Sequence, residues 1–331
     1  MNKDFWNRKA SEGKICFLAP MDGYGDSAYR QSMKRVAPHI MCISEFYSAD
    51  GLVHSKFLAD SVLPHSNIED PLIIQIFGKD PYMFARAAEI ISQSKYNIAG
   101  IDVNMGCPAK KVVRSGHGSS LLINSDTAFE IISALDKATD LPISVKTRRS
   151  FDGNQNLLDF VGGLEKSGAK LITIHGRTAK QAYTGHADHT DTYELKKHVN
   201  IPVICNGDII SYDDGINKVQ DLNGFMIGRA SFGNPWCFIP GGYDPTLEEM
   251  LQAMEFHATK LVETKGERKG SLEIRKHLVQ YLKHFPGVKA YRKELVTTES
   301  LGNSLRVIES IRKEFKNDLD KRPGLGEVTT P

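Results

Sequence analysis

The sequence predicts an α/β chain, a TIM (β/α)8 barrel over residues 1–240 followed by a small C-terminal all-helical domain over 246–320. Three observations carry this. Eight short apolar runs recur through the first 230 residues, helical patterns fill several of the gaps, and Pro240-Gly-Gly-Tyr-Asp-Pro245 breaks the rhythm before a stretch that is only helical.

The runs are Ile15–Leu18, Ile40–Ile43, Leu72–Ile76, Gly100–Val103, Ile143–Val145, Leu171–Ile174, Val203–Cys205 and Phe225–Ile227. Most are continuously apolar rather than alternating, as strands buried on both faces are. Pro81–Ile91, Asp126–Leu135 and Leu157–Lys166 carry the 3.6-residue period, with Asp80 and Ser125 as expected N-caps. Beyond residue 246, apolar positions fall on helical faces at Met250, Leu251, Met254, Leu261, then Ile274, Leu278, Leu282, then Leu301, Leu305, Ile308 and Ile311. Residues 321–331 are Gly/Pro-rich and read as a loose tail.

With 40% hydrophobic and 25% charged residues, the 331-residue chain has the composition of a globular protein. Its longest apolar runs fall far short of the roughly 20 residues a bilayer crossing needs, so no membrane association and a cytoplasmic location are expected. The five cysteines form no CxxC pair and leave one over, which argues for reduced thiols and no metal site. The net charge is +2, yet Lys265–Lys293 carries nine Lys/Arg against two acids. Such a stretch is either a solvated helix face or a surface for a polyanion.

In a parallel barrel the functional groups gather where strands end. Here the runs end in Pro20-Met21, Ser44-Glu45, Gln75, Asn104, Lys146, His175, Asn206-Gly207-Asp208 and Gly228-Arg229. Gly207, Gly228 and Arg229 follow the seventh and eighth strands, where barrels hold phosphate. Lys146 reads as a cation over an electron-rich ring, a Schiff-base nucleophile or a structural ion pair. His175, before Gly176-Arg177-Thr178, reads as a phosphate or substrate contact or as a core histidine. Cys107 alone of the cysteines lies in a loop, Asn104-Met-Gly-Cys-Pro108, and Lys110 and Lys111 are expected to favour its thiolate or assist a proton transfer. Gly23-Tyr-Gly25-Asp-Ser-Ala28 with Glu45 imitates a dinucleotide fingerprint, but Pro20 at the turn and the eight-unit count argue against one.

The strings Leu18-Ala-Pro-Met21, Asn104-Met-Gly-Cys-Pro-Ala-Lys-Lys111, Ile174-His-Gly-Arg-Thr178, Cys205-Asn-Gly-Asp208 and Met226-Ile-Gly-Arg229 resemble the tRNA-dihydrouridine synthases, most closely their bacterial B-type branch. The resemblance implies an FMN-bearing barrel and a helical tRNA-binding domain, with tRNA uridines reduced at C5–C6 by electrons from NADPH. It implies that Pro20, Met21 and Asp22 border the isoalloxazine, and that Gln75 and Lys146 bond its polar edge. It assigns His175, Asn206, Gly207, Asp208, Gly228 and Arg229 to the ribityl phosphate end, Asn104 and Arg177 to the uracil, and Cys107 to the general acid. A monomer without metal is expected. Asp22, Ser150 and His189 depart from the family's usual residues. A small-molecule flavin reductase on the same barrel, a Lys146 aldolase and a non-catalytic RNA-binding protein are the alternatives. The helical domain speaks against the first, and a visible flavin spectrum separates the other two.

Overall fold

The computed structural model describes residues 3–63, 66–283 and 285–322. Eight strands close into a parallel barrel in chain order: β1 (Ile15–Leu18), β2 (Met41–Ser48), β3 (Leu72–Phe77), β4 (Ile98–Met105), β5 (Ile143–Arg148), β6 (Leu171–His175), β7 (Val203–Asn206) and β8 (Gly224–Ile227). All eight lie where apolar runs predict them. The closing pair aligns Ile15 with Gly224 and Leu18 with Ile227. A Cβ at Gly224 would stand 2.1 Å from the Ile15 carbonyl oxygen, so this seam requires glycine.

The N-terminal helix Phe5–Glu12, which sequence periodicity did not reveal, carries Trp6 into a cluster with Phe17, Ile73, Leu171, Ile204 and Met226. Trp6 packs on Phe5 and Phe17 with centroids 4.8 and 5.7 Å away. These strand residues share the inward parity of their strands, so the cluster is the apolar interior of the barrel. The helices Pro81–Ser92, Ser125–Ala138 and Leu157–Ser167 match their predicted spans within a few residues. Asp80 caps the first through Tyr82 N–H at 2.9 Å, whereas Ser125 is already helical and Asn124 occupies the cap position without a side-chain bond.

The chain forms two compact units, one of residues 1–25, 40–209 and 214–228, the other of 26–39, 210–213 and 229–331. This division is not a single cut at residues 240–246. Ala28 and Trp236 are buried in the same apolar cluster as Leu251, Met254, Leu278 and Ile308, which draws the helix Ser27–Val36 and the segment after β8 into the helical unit. That unit contains the helices Leu247–Lys265, Glu267–Tyr281, Lys289–Leu295 and Leu301–Glu314. A capping box between Thr246 and Glu249 starts the first, and the Leu319 and Lys321 carbonyls accept from its Glu248 and Leu247 N–H groups. Of the expected loose tail, 321–322 are therefore tied back and 323–331 lie outside the described residues. No helix among the described residues is long and apolar enough to cross a membrane.

Candidate functional site

The parallel register sorts the inward side chains at the carboxyl end of the barrel into layers, because residues paired across neighbouring strands share a face. Gln75 pairs with Asp102 and Asp102 with Ser144. One step higher, Asn104 pairs with Lys146 and Lys146 with Thr173. At the rim, Arg148 pairs with His175, His175 with Asn206 and Asn206 with Met226. Residues far apart in the chain converge here because each occupies the same parity near its strand's end.

The lowest layer is a hydrogen-bonded polar chain. Ser44, at a register shift in β2, accepts from the Gln75 backbone N–H at 2.9 Å. The Gln75 amide donates to Asp102 Oδ2 at 2.7 Å, and Ser144 Oγ donates to Asp102 Oδ1 at 2.6 Å. Asn104 Nδ2 donates to Gln75 Oε1 at 3.0 Å, while Asn104 Oδ1 accepts from the Gly106 and Cys107 N–H groups at 3.2 and 3.0 Å. Burial raises the Asp102 carboxyl to about 6, against the bonds from Ser144 and Gln75 and the charge of Lys146.

Cys107 rides on the loop this chain holds, and Ser119 N–H fixes its carbonyl at 3.1 Å. The other four cysteines are buried; Cys107 is half-buried. Burial pushes its thiol above 9.0, outweighing the Ala109 N–H and the Arg148 and Lys146 charges that favour thiolate. Lys110 and Lys111 are both exposed, and the charges that act most on the thiol are Arg148, Asp22 and Lys146. At neutral pH this group is an acid with a proton to give.

Two cations stand beside it. Lys146 is lowered to about 8, first by burial and then by Arg148, and among the described residues its ammonium makes no hydrogen bond or ion pair. Thr173 Oγ1, in the same layer, is buried without a hydrogen-bond partner among the described residues. Arg148, only 2% exposed, donates from Nε to the Gly106 carbonyl at 2.8 Å and from Nη1 to the Thr178 and Ala182 carbonyls, both at 2.9 Å. It ties the cysteine loop to the loop after β6.

At the β6 and β7 ends, Arg177 donates to the Thr184 and Gly185 carbonyls at 3.2 and 2.6 Å and to Asp208 Oδ2 at 2.8 Å. Its Nη1 lies 3.5 Å from His175 Nε2. A guanidinium only donates, so Nε2 accepts and the ring proton sits on Nδ1. Burial holds His175 well below 6.5, reinforced by Lys146, Arg148, Arg177 and His189, and the ring is neutral. Asp208 also accepts from Ala187 N–H at 2.8 Å, and Asn206 Nδ2 donates to the Met226 carbonyl at 2.9 Å. Gly207 and Asp208 have φ of 112° and 53°. His189 Nε2 lies 3.2 Å from the Gly207 carbonyl, and Ser150 Oγ accepts from Gly153 N–H at 2.9 Å, so two of the departing residues brace loops.

Of the remaining expected residues, Pro20, Met21 and Asp22 follow β1, where Met21 O accepts from the Tyr24 and Gly25 N–H groups at 3.0 and 2.7 Å. Asp22 is exposed, and its charge acts on Cys107. A Cβ at Gly228 would meet only Ala19 Cβ at 3.6 Å and Met21 Sδ at 3.9 Å, so there is room above it. Arg229 opens the helical unit, as the first residue of the turn Arg229–Ser231. Sequence reading missed Asp102, Ser144 and Thr173 and gave Arg148 no role, although each stands two residues from a recognised position on the same strand face. No cluster of three or more His, Cys, Asp or Glu side chains among the described residues could hold a metal ion.

A family model described as dihydrouridine synthase matches residues 17–317. This chain belongs to the dihydrouridine synthase family. Its relatives include a probable tRNA-dihydrouridine synthase 1 of Synechocystis, 35% identical over 318 residues that cover 91% of this chain and 88% of that protein. The tRNA-dihydrouridine synthase B of Pseudomonas putida is 32% identical over 324 residues, covering 93% and 94%. Among solved structures, an old yellow enzyme homologue from Zymomonas mobilis superposes with a TM-score of 0.51 at 11% identity, over 67% of this chain and 86% of that one. It shares the barrel fold with this dihydrouridine synthase.

Proposed function

We propose that this dihydrouridine synthase reduces the C5–C6 double bond of uridines in tRNA, using FMN and electrons from NADPH, with Cys107 as the proton donor. The observation that carries the reading is the half-buried Cys107, whose thiol burial keeps protonated, on the loop after β4 near Lys146, whose ammonium makes no hydrogen bond or ion pair among the described residues.

The residues present fit a flavin phosphate. A half-buried ammonium and a Thr173 hydroxyl, both without a hydrogen bond among the described residues, call for a polar, electron-rich partner. The room above Gly228 and the positive-φ backbone at Gly207 and Asp208 suit a phosphate. Pro20, Met21 and Asp22 would border the ring, while Gln75 and Lys146 would bond its polar edge. His175, Asn206, Gly207, Asp208, Gly228 and Arg229 would hold the phosphate end, Asp208 by shaping the loop through Arg177 and Ala187.

When bound, the flavin supplies the hydride that adds to uracil C6. Lys146 places positive charge where the reduced ring is electron-rich. Asn104 and Arg177 each keep one N–H outside the bonds described above, available to the uracil carbonyls. Cys107 gives its proton to C5 on the face opposite the hydride, and Arg148, Lys146 and the Ala109 N–H stabilise the thiolate left behind. One NADPH is oxidised for each uridine reduced. A uridine within folded tRNA must leave its stack, at a cost of a few kcal/mol. The helical unit would supply compensating phosphate contacts through the exposed Arg268, Lys269, Lys283, Lys289 and Lys293, whereas Lys265 is engaged by Asp26 and Glu273 at 2.6 and 2.5 Å. The same reading has the protein acting as a cytoplasmic monomer.

The test is to load the protein with FMN and incubate it with NADPH and unmodified tRNA. Dihydrouridine in the digested tRNA is the expected product. Protein that takes up no flavin, or that reduces free uracil as readily as tRNA, would overturn the proposal.

A further inference from the structure

The polar chain beneath the cysteine loop runs in one direction. Backbone N–H groups can only donate, so those of Gly106 and Cys107 force the oxygen of the Asn104 amide toward the loop and its nitrogen toward Gln75. Gln75 must then turn its oxygen to Asn104 and its nitrogen to Asp102, so the chain requires an acceptor at its end. Asp102 is that acceptor, fully buried between Gln75 and Ser144.

We propose that Asp102 is a positioning residue for the reaction: as terminal acceptor of a relay through Gln75 and Asn104, it fixes the loop 104–108 that presents Cys107. The inference rests on the reading of Cys107 as proton donor. If Asp102 becomes protonated on Oδ1, it donates to Ser144 Oγ and Oδ2 still accepts from Gln75, so the relay does not depend on its charge. Asparagine mimics that neutral acid. Its amide oxygen can take the Gln75 N–H while its nitrogen donates to Ser144, and the loop N–H groups forbid the reversed arrangement. Leucine fills similar space but leaves the Gln75 N–H buried and unpaired, so Gln75 loses its anchor and holds Asn104 Nδ2 less firmly, leaving Asn104 to its loop N–H bonds alone.

The experiment compares wild type, Asp102→Leu and Asp102→Asn as FMN-loaded full chains at about pH 6.5, where Lys146 remains charged. Bleaching of the flavin by NADPH needs no proton from Cys107, whereas recovery of colour on adding unmodified tRNA does. In Asp102→Leu, tRNA-dependent recovery should fall at least about tenfold, as for a lost buried hydrogen bond, and clearly further than bleaching, which changes only through Gln75 and Lys146 at the proposed flavin edge. Alkylation of Cys107 by iodoacetamide should become faster as the loop loosens. Asp102→Asn should keep all three rates within about threefold of wild type. A parallel fall of bleaching and recovery in Asp102→Leu would reduce Asp102 to a structural role and overturn the inference. So would a loss of recovery beyond about tenfold in flavin-loaded Asp102→Asn, which decides the matter alone if Asp102→Leu does not fold. Wild type that bleaches but regains no colour with tRNA would instead refute the proposed function, and the alkylation rates would still report on the relay.

Discussion

Replacing Gly207 by alanine tests the β7 end of the barrel. The backbone there has φ of 112°, where L-residues rarely go, at a cost of roughly 1–3 kcal/mol. The new Cβ would stand 2.6 Å from His175 Cδ2 and 2.8 Å from Ala187 Cβ. Neither neighbour can yield freely: His175 is flanked by Arg177, and Ala187 is bonded to Asp208. Relieving that overlap costs about another 1–3 kcal/mol, so the variant should lose about 2–6 kcal/mol in all. For a chain of this size the melting temperature should then fall by at least about 3 °C. Calorimetry with and without FMN reads both consequences. Wild type should gain about 2.7 kcal/mol when FMN exceeds its Kd a hundredfold, and Gly207→Ala should gain much less, because its phosphate loop is displaced. A Gly207→Ala protein that melts with wild type and responds equally to FMN would refute the reasoning.

Lys146, lowered to about 8, loses its charge as pH rises through that value, so bleaching by NADPH should slow above about pH 8, and Lys146→Met should be slower and lack that limb; a pH profile of the bleaching rate decides. His257, fully buried in the helical unit and 3.2 Å from the Tyr281 hydroxyl, is lowered by burial from 6.5 to about 4. The unfolded chain therefore binds the extra proton, and stability complete above about pH 6.5 should fall by on the order of 3 kcal/mol as pH drops to about 4. Melts across that window should show a shallower slope for His257→Gln. If Lys283 and Lys289 each contact a tRNA phosphate, their double alanine variant should bind tRNA with a log Kd versus log salt slope shallower by about 1.4–1.8, measured by salt titration.

The barrel was legible because buried parallel strands are continuously apolar, and each of the eight runs lies within or beside its strand. The helix Phe5–Glu12 escaped because only Phe5 and Trp6 are buried, too few for a periodic signal. The segment 26–39 follows β1 in sequence, but its packing partners lie beyond residue 228, so a contact pattern rather than composition assigns it to the helical unit. Within the site, Cys107 and Lys146 stood out by residue type in apolar or loop surroundings. Asp102 did not, since an acid between Ile101 and Val103 acquires meaning only from cross-strand partners such as Gln75 and Ser144. Arg177 is assigned to the uracil by resemblance alone, and its carbonyl partners appear only once the loop 182–187 has folded over it.

The most direct test is whether the Cys107 sulfur delivers the second hydrogen. Cys107→Ala, loaded with FMN and bleached anaerobically by NADPH, should bleach at the wild-type rate and then stay colourless when unmodified tRNA is added, while wild type regains its colour and leaves dihydrouridine in the RNA. Colour returning to Cys107→Ala as fast as to wild type, with dihydrouridine formed, would contradict it.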